Sequence, residues 1–242
     1  MAVSLKGSVV IVVGASSGMG REIAIQFARE GAIVVVSARR EDRLHSLKAE
    51  LSAEGHAVEV HAADASDAAA MDRLGSAAIQ QFGRVDILVY ATGTNTPDRA
   101  LPRLKPDIWD MMLAVNLNGA YYATQAVLPQ MRAQKAGLIF YLSSRSSVIP
   151  DESGAAYQAA KRGLSGLAQA IRVEEKENGI RTCVVCPGLT DTEILEKRLV
   201  KPPAELLAKA LRAEDIAELV LAIAKLPART WVPEVHLFPA DV

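Results

Sequence analysis

Residues 8–13 form an almost unbroken apolar run that passes without a linker into Gly14-Ala15-Ser16-Ser17-Gly18-Met19-Gly20, and a helical pattern through Ile23, Ile25, Phe27 and Ala28 follows at once. A strand this continuously apolar is buried on both faces, as in a parallel sheet covered by helices on each side. The chain keeps the alternation going. Gly31 closes the first helix, 33–36 reads as a second strand, and a polar helix with Leu44, Leu47 and Leu51 runs to Gly55 before a short third strand at 58–61. Residues 67–82 read as a helix closed by Gly83, 85–90 as a strand, and 94–106, with three prolines, as a loop. The long helical pattern at 107–134 is expected to break or bend near Asn116 to Gly119, and Pro129 to bend its far end.

Further on, 137–142 reads as a fifth strand, 155–178 as a helix, 180–185 as a sixth strand, 213–226 as a helix and 235–238 as a seventh strand. Short helices are expected in 189–198 and 205–211. Six or seven strands with intervening helices imply an α/β, doubly wound Rossmann arrangement with a central parallel sheet and helices on both faces. Across 242 residues the alternation has no seam, so a single domain is expected, with 189–211 as a small substrate-covering segment.

Charge and composition exclude several roles. The formal charge is 27 − 28 = −1 and no lysine/arginine block stands out, so nucleic acid is not an expected partner. No apolar run approaches membrane-spanning length and the first residues lack the regions of a signal peptide, so the expectation is a cytoplasmic protein without a membrane partner. Cys183-Val184-Val185-Cys186 spells C-x-x-C, but on a strand positions i and i+3 face opposite sides. Buried, inert cysteines are expected. His45, His56, His61 and His236 do not complete a ligand cluster with them, so no metal is expected.

The glycine turn reads as a dinucleotide grip. Gly14 ends the first strand, and Gly18 and Gly20 lie where the backbone turns into a helix; side chains there would obstruct a pyrophosphate that helix N-terminal amides attract. At the end of the second strand an NAD site typically has a carboxylate. Here the residues are Ser37-Ala38-Arg39-Arg40. A guanidinium matches a 2′-phosphate, so NADP(H) is favoured over NAD(H), with Arg39 as the contact and Arg40 as a solvated surface residue.

Residues 143–163 carry the chemistry. Tyr157 and Lys161 are four apart on a helix and share a face, which sets an ammonium beside a phenol. A neighbouring cation favours the phenolate, so such a tyrosine can give or take a proton. A carbonyl accepting hydride from a reduced nicotinamide develops negative charge on oxygen and needs that proton. Ser144, with Ser143 as its competitor, would donate a hydrogen bond to the same oxygen, and Lys161 can also reach cofactor hydroxyls.

Gly14-x-x-x-Gly18-x-Gly20, Asp64, Asn116, Ser144, Tyr157-x-x-x-Lys161 and Pro187-Gly188, in that order, resemble the classical short-chain dehydrogenase/reductase family over essentially the whole length. The resemblance implies Ser144 as the substrate-orienting serine, since it precedes Tyr157 by thirteen residues. It implies Asp64 at adenine, Thr190 and Thr192 by the nicotinamide carboxamide, and a main-chain carbonyl at Asn116 that holds a water near Lys161. Cofactor contacts then comprise Gly14, Ser16, Ser17, Gly18, Met19, Gly20, Arg39, Asp64, Ala91, Gly93, Tyr157, Lys161, Pro187, Gly188, Thr190 and Thr192.

Two positions depart from the family pattern: Val13 replaces a threonine, and Tyr90-Ala91-Thr92-Gly93 replaces Asn-Asn-Ala-Gly. Packing is expected to take over from the lost side-chain hydrogen bonds. The likeness further implies a homotetramer or homodimer through the helices at 107–134 and 155–178. The expected activity is NADPH-dependent reduction of a carbonyl, as in carbonyl or 3-oxoacyl-carrier-protein reductases. An NAD(P)+-dependent alcohol dehydrogenase and a non-catalytic, nucleotide-responsive scaffold are the alternatives. Rim cations Arg103, Lys105, Arg145, Lys197, Arg198 and Lys201 include candidates for an anionic substrate, and the limited cover favours an accessible pocket.

Overall fold

The computed structural model of the protein describes residues 2–197 and 200–241. Seven strands form one parallel sheet in the order β3-β2-β1-β4-β5-β6-β7. They are β1 (Val9–Val13), β2 (Ile33–Ser37), β3 (Val58–Val60), β4 (Ile87–Tyr90), β5 (Gly137–Leu142), β6 (Ile180–Pro187) and β7 (Glu234–Leu237). The helices are α1 (Gly18–Arg29), α2 (Glu41–Ala53), α3 (Ala68–Phe82), α4 (Pro106–Leu113), α5 (Gly119–Gln134), α6 (Ala155–Glu174), the short α7 (Ala204–Leu207) and α8 (Ala213–Ala224).

Every residue of β1 is buried, and the period of two divides them between two cores. Val10 and Val12 pack with α1, α2 and α8, whereas Val9, Ile11 and Val13 pack with α3, α5 and α6. Cys183 and Cys186 fall into opposite cores in the same way, as free, buried thiols. The expected doubly wound sheet is therefore present, and so is the reason for its unbroken apolar strands.

Local differences have local causes. Strand β4 begins at Ile87 because the Gln134 side chain holds both the Val85 amide, at 2.9 Å, and its carbonyl, at 2.9 Å. The expected bend near Asn116 is a π-helical stretch, Ala114–Asn118, between α4 and α5. Helix α6 stops at Glu174 and a separate turn, Lys176–Asn178, follows; β6 continues to Pro187 because its end still pairs with β7. In the covering segment a 3₁₀ turn, Glu193–Lys197, and α7 stand for the two short helices expected.

The unusual end of β4 explains the π-helical stretch beside it. Tyr90 is wholly buried, lies in register with Val13, and donates its hydroxyl to the Val115 carbonyl at 2.6 Å. So packing against Val13 is only half of the replacement; a hydrogen bond to the irregular helix supplies the rest. Gly119 leaves the space that the phenol fills, since a Cβ there would overlap both the Tyr90 hydroxyl and the Ala65 carbonyl. Gly119→Ala is expected to lower stability by about 1–3 kcal/mol through overpacking, read as a lower urea midpoint at unchanged slope.

Candidate active site

The strand order reverses between β1 and β4, and a crevice opens at their carboxyl ends. Gly14 turns the chain there with φ of 98°, and a Cβ on it would lie 2.8 Å from the Ala91 carbonyl carbon and the Thr92 amide nitrogen. Its own amide donates to the Ser37 carbonyl at 2.7 Å, so the ends of β1, β2 and β4 are tied at one point. Helix α1 starts directly beyond. It has no acid in its first turn, and Ser17 at its N-cap makes no side-chain cap, which suits its amides to an anion.

A cleft of about 330 Å³ runs from this turn to α6. The 14–20 turn, with Ser16, Ser17, Gly18, Met19 and Gly20, forms one wall, and Arg39, Arg40 and Asp64 close its far end. Ala91, Gly93 and Thr192 line the middle, and Tyr157 and Lys161 stand at the near end. A second, open cavity of about 1180 Å³ is lined by Ser144, Tyr157, Pro187, Gly188, Thr190 and Thr192 among others. Tyr157 borders both. The catalytic and cofactor-binding candidates from the sequence line one or other of these cavities, except Asn116; of the rim cations, Arg103, Arg145 and Lys201 line the larger one and Lys105 lines neither.

Lys161 is only 3 % exposed, and its Nζ lies 5.8 Å from the Tyr157 ring centroid. It donates to the Leu142 carbonyl at 2.8 Å. Burial pulls the ammonium down to about 8, near working pH. Gly93 permits this placement, because a Cβ on it would stand 3.3 Å from Nζ and 3.4 Å from Asn116 Oδ1. Asn116 accepts from the Thr94 amide at 3.0 Å and donates to the carbonyls of Thr94 at 3.0 Å and Met112 at 2.9 Å. Its side chain therefore clamps the segment after β4 to α4.

The two serines divide their work. Ser143 is buried and donates to the Lys161 carbonyl at 2.9 Å, fixing β5 to α6. Ser144 borders the larger cavity, accepts from the Ser146 amide at 3.2 Å and donates to Ser146 Oγ at 3.2 Å. Ser146 donates in turn to Asp151 Oδ2 at 2.6 Å. No motif in the sequence marks Ser146 or Asp151.

Arg40 corrects the sequence reading. It is not a free surface cation: its Nε and Nη2 donate to Ser16 Oγ at 3.1 and 2.9 Å, and Nη2 donates to Ser17 Oγ at 2.6 Å. Its Nη1 donates to Glu193 Oε2 at 2.8 Å, and Arg43 grips the other oxygen of that carboxylate. Hydrogen bonds from the two guanidiniums hold the Glu193 carboxyl down at about 2. Arg39 is the more exposed of the pair, 3.9 Å from Asp64 Oδ2. Burial pushes the Asp64 carboxyl up, but the Ser66 amide and hydroxyl, at 2.9 and 2.7 Å, and Arg39 outweigh it and keep it below the ordinary range.

At the rim, Arg103 is bound to Asp98 at 2.8 Å and Lys201 to Glu196, while Arg145 also borders the larger cavity. Arg198 and the Lys197 side chain lie outside the described residues. The expectation of no ligand cluster around the cysteines also needs revision. Cys186 is the register partner of His236 across β6 and β7, and Glu234 joins them.

Residues 8–202 match the sequence profile of the short chain dehydrogenase family. The chain belongs to that family. A 3-oxoacyl-[acyl-carrier-protein] reductase from Thermotoga maritima is 30% identical over 225 residues, 91% of each chain. A metagenomic short-chain oxidoreductase solved in complex with NADP is 32% identical, with a TM-score of 0.85 over 98% of this chain and 99% of the other. An alcohol dehydrogenase from the archaeon Thermococcus sibiricus, complexed with 5-hydroxy-NADP, is 29% identical with a TM-score of 0.88 over 98% of each chain.

For this short-chain dehydrogenase the buried ammonium is a cost to the fold. Lowering a lysine from 10.5 to about 8 corresponds to roughly 3 kcal/mol at neutral pH, and its hydrogen bond to Leu142 offsets about 1–1.5. Lys161→Met is therefore expected to raise unfolding stability at pH 7 by about 1–2 kcal/mol. Between the folded value near 8 and the unfolded value of 10.5 the unfolded chain binds more protons, so wild-type stability rises with pH across that window. Denaturant titrations at several pH values should show this rise in the wild type and lose it in the variant.

Proposed function

We propose that this short-chain dehydrogenase reduces a carbonyl to an alcohol with NADPH, on a substrate such as a 3-oxoacyl thioester or a small ketone. The position of Tyr157 at the junction of the two cavities, beside Lys161 and on the same cavity wall as Ser144, carries the reading. When bound, the nicotinamide supplies the hydride. Tyr157 gives its proton to the carbonyl oxygen as charge develops there, and Ser144 turns its hydroxyl from Ser146 to the same oxygen. Lys161 favours the phenolate left behind, and the same phenolate takes the alcohol proton in the reverse direction.

The cleft's residues fit the cofactor. The amides of α1 and the 14–20 turn would hold the pyrophosphate, with Gly14, Gly18 and Gly20 letting it approach. Arg39, with Arg40, would take the 2′-phosphate, Asp64 the adenine, and Thr190 and Thr192 the carboxamide. NADP in two solved neighbours supports the same choice. Asn116, in the π-helical stretch, would hold the relay water by its main chain. The alcohol dehydrogenase neighbour favours a second reading, physiological oxidation with NADP+ on the same residues. The proposal includes a cytoplasmic homotetramer or homodimer through α5 and α6, supported by exposed Tyr121 and Val173 on those helices.

NADPH oxidation over a carbonyl panel tests the mechanism. Tyr157→Phe keeps the ring and loses the transferable proton, so kcat should fall by about 10²-fold or more while NADPH binding persists; equal rates in the two proteins overturn the assignment. The cofactor choice is tested by binding. Arg39→Asp should weaken NADPH relative to NADH by about tenfold or more, the loss expected when one charge-assisted bond to phosphate is replaced by a like charge.

A further inference from the structure

Strands β6 and β7 place Cys186 opposite His236, and Val184 opposite Glu234. Residues two apart on a strand share a face, so Glu234 and His236 project on the same side. The Cys186 sulfur, a Glu234 carboxylate oxygen and a His236 ring nitrogen lie within 4.8 Å of one another, the one such group of three among the described residues. Because β7 is the last strand of the sheet, the group has a wet side and a dry side. Glu234 and His236 are 30% and 41% exposed, whereas the thiol is wholly buried.

The donors are already oriented towards one another. His236 Nε2 is 2.7 Å from Glu234 Oε1, and Glu234 Oε2 accepts from Ser165 Oγ at 3.0 Å, which fixes the carboxylate from α6. The sulfur lies 3.6 Å from Ser147 Oγ. A Glu–His pair alone is an ordinary surface contact. The thiol adds a soft ligand, and one sulfur, one imidazole nitrogen and one carboxylate oxygen are the donor types that zinc takes in a tetrahedral site.

We propose that Cys186, Glu234 and His236 bind a thiophilic divalent cation of the zinc type, with three protein ligands and a fourth position open to solvent. On binding, the Cys186 thiol releases its proton to solvent as the sulfur–metal bond forms, and the His236–Glu234 hydrogen bond gives way to two metal bonds. Thiolate and carboxylate then balance the dication, so no net charge is left at the sheet edge. Ser165 becomes the outer partner that orients the carboxylate. The site lies on the reverse of the turn bearing Ser144, since Ser147 also donates to the Ser144 carbonyl at 2.6 Å. Cation occupancy and proton transfer therefore share one stretch of backbone.

Cobalt(II) titration of the full chain reads the site without reference to catalysis. The expected result is one Co²⁺ per chain with a sulfur-to-cobalt charge-transfer band in the near ultraviolet, displaced by Zn²⁺. Cys186→Ser should abolish that band. His236→Ala, a change at an exposed side chain, should weaken Co²⁺ binding by about tenfold or more, the size of loss seen even on removing outer partners of a metal. Absence of the band in the wild type, its survival in Cys186→Ser, or equal affinity in wild type and His236→Ala would each overturn the proposal.

Discussion

β1 and β4 are neighbours in the sheet, yet the chain leaves them toward opposite faces, and everything at the site follows from that parting. Helix α1 joins the core on one face, while α5 joins the core on the other, with α4 packed against α6. No connection crosses the gap between the strand ends, so a crevice opens there, floored by backbone instead of side chains. Gly14 and Gly93 keep the floor low; each stands where a Cβ would press on the opposite wall or on Lys161.

Set against that floor, the buried lysine is a local loss tolerated by the fold. Its ammonium keeps one carbonyl partner, from Leu142, and little water. Stability-minded sequences would put an apolar residue there. The surroundings are correspondingly over-determined: Asn116 clamps the strand extension with three hydrogen bonds, and Ser143 pins β5 to α6 at the Lys161 carbonyl. Rigid framing of this kind holds the lysine and the tyrosine in one relation.

Much of this was legible in the residues, for reasons that can be named. The two-sided burial of a parallel sheet writes itself as runs such as 9–13, and the four-residue step from Tyr157 to Lys161 is a helical distance. Contacts across chain-distant elements were not legible. Arg40 turns toward Ser16, Ser17 and Glu193, and no spacing in the sequence reports that. Cys186 and His236 meet only through the register of two parallel strands fifty residues apart in the chain. Tyr90 reads as a departure from the family pattern until Val115 and Gly119 are seen to complement it.

Glu193 ties the turn Glu193–Lys197 to Arg40, which lines the cleft, and to Arg43 of α2. A dianion arriving at Arg40 must share that guanidinium with Glu193 or displace it. Either outcome would loosen the tie between that turn and the start of α2. Added salt would loosen the same exposed ion pairs by screening.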